Sequence, residues 1–169
     1  MTGSTFNPQL ALETLSRYGV KYVLIGGIAA RVHGSPSITL DLDVCYERSP
    51  ENLNLLATAL NDLHATLRGV REQVTIKLDT RTLAHGDSFT FDTDAGPLDA
   101  LGTPSGTTGY AELEQSATEV EMFSLSVKVV ALDALMRMKR AAGRPKDRIE
   151  LEVLEALKDE IENPPRNRR

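Results

Sequence analysis

The chain has 169 residues, 41% hydrophobic and 25% charged, with a formal net charge of −5 at pH 7 and one cysteine, Cys45. This is the make-up of one ordinary globular domain, or one domain with an appendage, long enough to bury a core. There is no apolar run that could span a bilayer, no basic-then-apolar leader and no second cysteine for an internal disulfide, so a reducing, cytoplasmic setting is expected. The acidic balance excludes binding a polyanion by average charge; any nucleic-acid site has to be a local patch.

Asn7-Pro8 reads as a helix start, with Asn as cap and Pro in the first turn, where its missing N–H does no harm. Leu10, Ala11 and Leu15 give the apolar side and Gly19 the end. Residues 21–25 read as a strand, and Gly26-Gly27 as a turn into a short helix through Ala29, Ala30 and Val32 that stops at His33-Gly34. The two glycines serve either a tight turn or backbone room for a nucleotide. Next, Leu40, Leu42 and Val44 alternate with Asp41, Asp43 and Cys45, the pattern of a strand with one buried face. Asp41 and Asp43 then point the same way. Paired carboxylates either lie on a solvated face or are neutralised, most simply by a hard divalent cation. The Gly34-Ser35 turn ahead of them offers N–H groups and a hydroxyl to a phosphate.

Ser49-Pro50-Glu51 starts a helix whose stripe of Leu53, Leu56, Ala57, Leu60 and Leu63 is core. Strands are expected at 73–78, 88–91 and 96–102, with a hairpin turn at Asp94-Ala95-Gly96 and with Asp99 on the opposite face from Leu98 and Ala100. Residues 103–109 read as a loop, 110–115 as a short helix and 118–129 as one or two strands. A helix follows over 131–142 with Leu132, Leu135 and Met136 as its stripe. The next inward position is Lys139, either a snorkelling surface residue or one whose stem packs while its ammonium reaches an anion. Gly143 breaks this helix, and Arg144-Pro145 starts the last one, with Leu151, Leu154 and Leu157 on its apolar side. Asp147 lies in its first turn, where the helix dipole favours an acid by about 0.3–1 kcal/mol. Arg137, Lys139, Arg140, Arg144, Lys146 and Arg148 surround that single acid. This patch suits a triphosphate or an RNA backbone, or is a solvated helix corner. The expected fold is α+β, a mixed β-sheet flanked by helices with a C-terminal helical segment: a core over 1–130, helices over 131–162 completing the same compact unit, and a disordered tail over 163–169.

Gly26-Gly27-x-Ala29, His33-Gly34-Ser35, Thr39-x-Asp41-x-Asp43, Gly96-x-Leu98-Asp99 and Lys139-Arg140-x-x-Gly143-Arg144-x-Lys146-Asp147, taken in order, resemble the AbiEii/MenT-like toxin nucleotidyltransferases of the DNA polymerase β-like superfamily. The resemblance spans residues 20–157. It implies a nucleotidyltransferase-like sheet and transfer of a nucleoside monophosphate from an NTP, with pyrophosphate released. It further implies the toxin of a bacterial toxin–antitoxin system, with a cognate antitoxin, that modifies the tRNA 3′ end and blocks translation. In that frame Asp41, Asp43 and Asp99 hold metal, normally two Mg2+ ions, with Mn2+ as an alternative. Asp41, Asp43, Asp99, Lys139 and Asp147 form the catalytic set, with either Asp99 or Asp147 as the base. Gly34, Ser35, Thr39, Lys139, Arg140, Arg144 and Lys146 contact the nucleotide. Two features depart from the pattern: the gap from Gly34-Ser35 to Asp41 is shorter than in the wider superfamily, and Ser37 stands where many relatives carry Arg, which bears on nucleotide preference. The same chemistry on a small-molecule acceptor such as an aminoglycoside, or on a protein side chain, is the alternative, and an acidic pocket away from the metals would favour the aminoglycoside. A non-catalytic nucleotide-binding module is the reading outside enzymes. Phosphoryl transfer asks mainly for positioning and charge neutralisation, so the acids and the basic cluster have to face each other across a cleft.

Overall fold

The computed structural model describes residues 4–70 and 77–165. Among them, strands β1 (Tyr22–Ile25), β2 (Leu42–Tyr46), β3 (Thr66–Leu67), β4 (Ser88–Thr93), β5 (Gly96–Leu101), β6 (Thr118–Met122) and β7 (Leu125–Val129) form one mixed sheet in the order β3-β4-β5-β2-β1-β7-β6. The β2–β5 and β1–β7 pairs are parallel and the others antiparallel. Helices flank the sheet: α1 (Pro8–Arg17), α2 (Gly26–Val32), α3 (Pro50–Asp62), α4 (Thr80–His85), α5 (Tyr110–Ser116), α6 (Leu132–Ala142) and α7 (Pro145–Glu162). The fold is therefore α+β, as the pattern of the sequence predicts. None of these helices is long and apolar enough to cross a membrane.

Local chemistry sets the elements. Asn7 and Ser49 cap α1 and α3 by accepting hydrogen bonds from Leu10 N and Asn52 N, each followed by Pro. Asn52, buried, accepts from Lys21 N at 2.7 Å and donates to Lys21 O and Glu47 O, which ties the start of α3 to β1 and to the end of β2. Residues 118–129 make two strands joined at Phe123-Ser124, both at positive φ (51° and 61°), the conformation a two-residue hairpin needs. Leu12, Leu15, Leu56 and Leu60 from the packed pair α1 and α3 join Val23, Leu24, Val44 and Leu98 of the sheet in one core. Helices α6 and α7 pack together, and α2 packs on α6. His33 Nε2 donates to the Val130 carbonyl at 2.7 Å and pins the end of α2 to the entry of α6.

Some expectations change. Leu40 is 69% exposed instead of buried, because β2 begins only at Leu42. The pairing of β1 with β2 ends at Ile25↔Asp43, where the chain turns into α2, so the residues before Leu42 have no strand beside them on that side. Of the strand expected at 73–78, residues 73–76 lie outside the described residues, and Lys77 and Leu78 are in no strand. Helix α4, capped by Asp79 Oδ1 on Thr82 N at 2.9 Å, and the two-residue β3 are additions. Of the tail expected over 163–169, Asn163 caps α7 through Asp159 O, and residues 166–169 lie outside the described residues.

Candidate active site

Parallel pairing of β2 with β5 puts Asp43 level with Asp99. Residues level in neighbouring strands share a face, so the two carboxylates stand side by side. Asp41 lies just ahead of β2, its Oδ1 accepting from Thr39 Oγ1 at 2.8 Å. One oxygen from each of Asp41, Asp43 and Asp99 lies within 4.8 Å of the others. The glycines before them leave room for this. Gly26 takes φ +69°, and a Cβ there would overlap Asp43 Oδ2; a Cβ on Gly27 would fall 2.6 Å from Thr39 Oγ1. Both glycines therefore admit the acidic loop rather than only turn the chain.

The acids are electrostatically frustrated. Burial, then the charges of Asp41 and Asp99, push the Asp43 carboxyl up to about 7, with Lys139 opposing. Burial and Asp41 also raise Asp99, against Arg68 and Lys146. Among the described residues, Asp99 Oδ1 is buried without a hydrogen-bond partner. An orphaned carboxylate oxygen among three clustered acids is what a hard cation requires, so the donor set fits a divalent metal.

Across a cavity of about 440 Å³ stand Lys139 and Met138 of α6 and Arg144 and Asp147 at the start of α7. Asp147 is fully buried. Its Oδ2 accepts from Arg144 Nε at 2.6 Å and from Arg144 N at 3.2 Å, and its Oδ1 from Arg144 Nη2 at 3.2 Å. Lys139 Nζ lies 3.5 Å from Oδ1. Burial alone would raise this carboxyl, but the Arg144 hydrogen bonds and the Lys139 charge hold it below the usual range. The pair of cations is thus locked to one anion at the corner between the two helices.

The cleft brings together Asp43, Asp99, Lys139, Arg144 and Asp147, with Asp41 beside them. Lys146 is exposed, and its charge reaches Asp99. Arg140 instead faces Glu155 at 3.4 Å, and Arg137 pairs with Glu112. Gly34 and Ser35 do not line the cavity. A Cβ on Gly34 would stand 3.5 Å from Leu157 Cδ2, and Ser35 Oγ donates to Glu150 at 3.3 Å and accepts from Ser37 N at 3.2 Å, so this turn is seated on α7. Sequence reasoning missed Arg68, Ser88, Thr90 and Ser105. Arg68 Nη1 lies 3.9 Å from Asp99 Oδ1, and the three hydroxyl residues line the cleft. The available signal was the expected strand at 88–91, whose alternation puts Ser88 and Thr90 on one face.

Neither a family model nor a curated relative matches this sequence. Solved structures do match by shape. The lincosamide antibiotic adenylyltransferase LnuA, in its lincomycin-bound structure, superposes with a TM-score of 0.61 at 13% identity, over 91% of this chain and 99% of that one. A putative nucleotidyltransferase from Thermotoga maritima gives 0.55 at 14%, over 92% and 97%. The antibiotic-resistance factor ANT(2'')-Ia, in complex with adenylyl-2''-tobramycin, gives 0.56 at 14%, over 89% and 90%. The fold is that of the nucleotidyltransferases. The likeness covers 89–92% of this chain and 90–99% of each of those chains.

Proposed function

We propose that the protein is a metal-dependent nucleotidyltransferase that moves a nucleoside monophosphate from an NTP to a hydroxyl of RNA, the tRNA 3′ end first among candidates, as the toxin of a toxin–antitoxin pair. The observation that carries the transferase reading is the level pairing of Asp43 with Asp99, with Asp41 alongside, opposite Lys139 and Arg144 across one cleft. Asp41, Asp43 and Asp99 would hold the metal, Mg2+ by preference of an all-oxygen acidic set. When bound, it neutralises charge on the phosphates and on the attacking oxygen.

The chain's own residues divide the remaining work. Lys139 and Arg144, oriented by Asp147, bind the β- and γ-phosphates and steady the departing pyrophosphate. Lys146 adds charge at the rim, and Thr39 holds Asp41 through its hydroxyl. A bond forms between the acceptor oxygen and the α-phosphorus while the bond from the α-phosphorus to the bridging oxygen of the β-phosphate breaks. The hydroxyl proton needs a base with a free lone pair. Asp99 fits, because its carboxyl is raised and a carboxylate has one oxygen for the metal and one for the proton; Asp147 is saturated and its carboxyl lowered. In this reading Asp147 is a positioning residue. Gly34 and Ser35 contribute by seating the loop that carries Thr39 and Asp41.

Among the described residues the cavity lining holds no acid besides Asp43 and Asp99, which are given to the metal, and Asp147, paired with Arg144, and this favours RNA over a polycation as acceptor. The second reading, a small-molecule acceptor, is supported by the full-length likeness to antibiotic-modifying enzymes and by the apolar lining of Leu101, Pro104, Leu135 and Met138. One experiment separates them. Each α-labelled NTP is incubated with Mg2+ and total tRNA, lincomycin or tobramycin, wild type beside Asp41→Ala. Label on tRNA with wild type alone supports the RNA reading. Label on a drug alone moves the assignment to the second reading. Pyrophosphate release with no acceptor labelled calls for other hydroxyls, and no release at all ends the transferase reading.

A further inference from the structure

Beyond the aspartates, the cleft floor continues across β5 and β4 toward β3. Strand register brings one cation, Arg68, to the same face beside it, outside the cavity lining. Thr66 is level with Asp92 and Leu67 with Phe91, and Arg68 N then donates to Thr90 O at 2.9 Å. Thr90 is in turn level with Asp99, and Asp99 with Asp43. Arg68, Thr90, Asp99 and Asp43 therefore form a row on one face of the sheet. Arg68 is held from behind: its Nε donates to Asp92 Oδ1 at 3.1 Å and its Nη2 to Phe91 O at 3.0 Å. Its Nη1 makes no hydrogen bond among the described residues, and the 3.9 Å to Asp99 Oδ1 is an ion-pair distance too long for one. The side chain keeps 40% of its surface exposed, and Ser88 and Thr90 beside it are open to solvent.

A guanidinium fixed along two edges, with its third free over an open floor, is already ordered for a further partner, so binding there loses little side-chain freedom. Its planar fork matches phosphate oxygens. Its place decides which phosphate. Lys139 and Arg144 stand on α6 and α7, while Arg68 comes from the β3–β4 side of Asp99, the side left open once the NTP lies against the helices. We infer that Arg68 binds a backbone phosphate of the acceptor next to the hydroxyl to be modified, which makes the acceptor an anionic strand. This rests on the transferase reading above. A polycationic drug would be repelled by the same group. The competing role, mere offset of the Asp99 charge, requires no contact with acceptor.

The test is binding of a fluorescein-labelled single-stranded RNA 12-mer with a free 3′ hydroxyl, read by anisotropy in Mg2+ without NTP over a range of KCl, for wild type, Arg68→Gln and Arg68→Lys. NTP-dependent pyrophosphate release and thermal melts are measured on the same proteins, with Asp41→Ala as the inactive control. The Gln variant is expected to bind RNA about tenfold or more weakly, and its slope of log K against log salt to fall by about 0.7. The Lys variant is expected to keep the slope and recover part of the affinity. An unchanged slope with Gln, or a change confined to the KM for NTP, overturns the inference and leaves the transferase reading standing. So does wild-type pyrophosphate release without RNA binding. Absence of both RNA binding and pyrophosphate release overturns the inference together with the reading it rests on.

Discussion

The two sides of the cleft solve the same problem, buried charge, in opposite ways. On the floor, Asp41, Asp43 and Asp99 crowd together with an orphaned oxygen and a carboxyl pushed up to about 7. At the helix corner, Asp147 is fully buried yet saturated by Arg144 and Lys139, and its carboxyl is lowered. The floor is costly as it stands, and a cation would relieve it. The corner is already favourable and holds two cations ready. On the proposed reading, unmet charge marks where a ligand would bind, and met charge aims the side chains around it.

The strongest test of this contrast is Asp43→Asn. Transfer is expected to fall by about 10³-fold or more, as does removal of metal by chelation. Stability should move the other way. Because the folded carboxyl titrates near 7, above the ordinary carboxylate value, the protonated form is favoured by folding. The stability it contributes is full below about pH 4 and is lost as pH rises through 7. In chelator, the Asn variant should therefore melt above wild type at pH 8 and lose that advantage by pH 4, while Mg2+ should raise the wild-type melt at pH 8. Parallel melting curves across this range would remove the claim that the floor is frustrated.

Gly26→Ala comes next. The new methyl overlaps Asp43 Oδ2 and the backbone sits at φ +69°, so a cost of about 1–3 kcal/mol is expected together with loss of metal-dependent activity. Calorimetry with and without Mg2+ reads both effects, and wild-type Mg2+ affinity in the variant would show that the close approach is incidental.

Asp147→Asn sharpens the other side. Losing the charge between Arg144 and Lys139 should destabilise by about 1–3 kcal/mol, less than a sealed pair would, because Arg144 is 60% exposed and can hydrate. The KM for NTP should rise while the acidic limb of the pH–rate profile stays in place. If that limb disappears with KM unchanged, Asp147 is the base and Asp99 is not. The smallest effect is expected from Ser35→Ala, at most about 1 kcal/mol, with little change in KM, since its hydroxyl is engaged with Glu150 at 3.3 Å outside the cavity. A large rise in the KM for NTP would return Ser35 to the triphosphate.

Period-two alternation, caps and glycines made most of the architecture legible. The strands at β2, β4, β5 and β7 and the helices α1, α3, α6 and α7 follow from spacing that nearest neighbours enforce, so a linear pattern suffices. Asp41, Asp43 and Lys139 were also legible, because a carboxylate pair and an inward lysine conflict with their local pattern. What no linear pattern carries is which strand lies beside which. The Asp43↔Asp99 register joins residues from separate elements, and Arg68 reaches the site only because β3 pairs with β4 and β4 with β5. The same holds for Gly34 and Ser35. Their composition suits a phosphate, but the packing of α7 against that turn engages the hydroxyl first. Short-range stereochemistry is written residue by residue, whereas the pairing of distant charges depends on a sheet order that only the whole chain's burial selects.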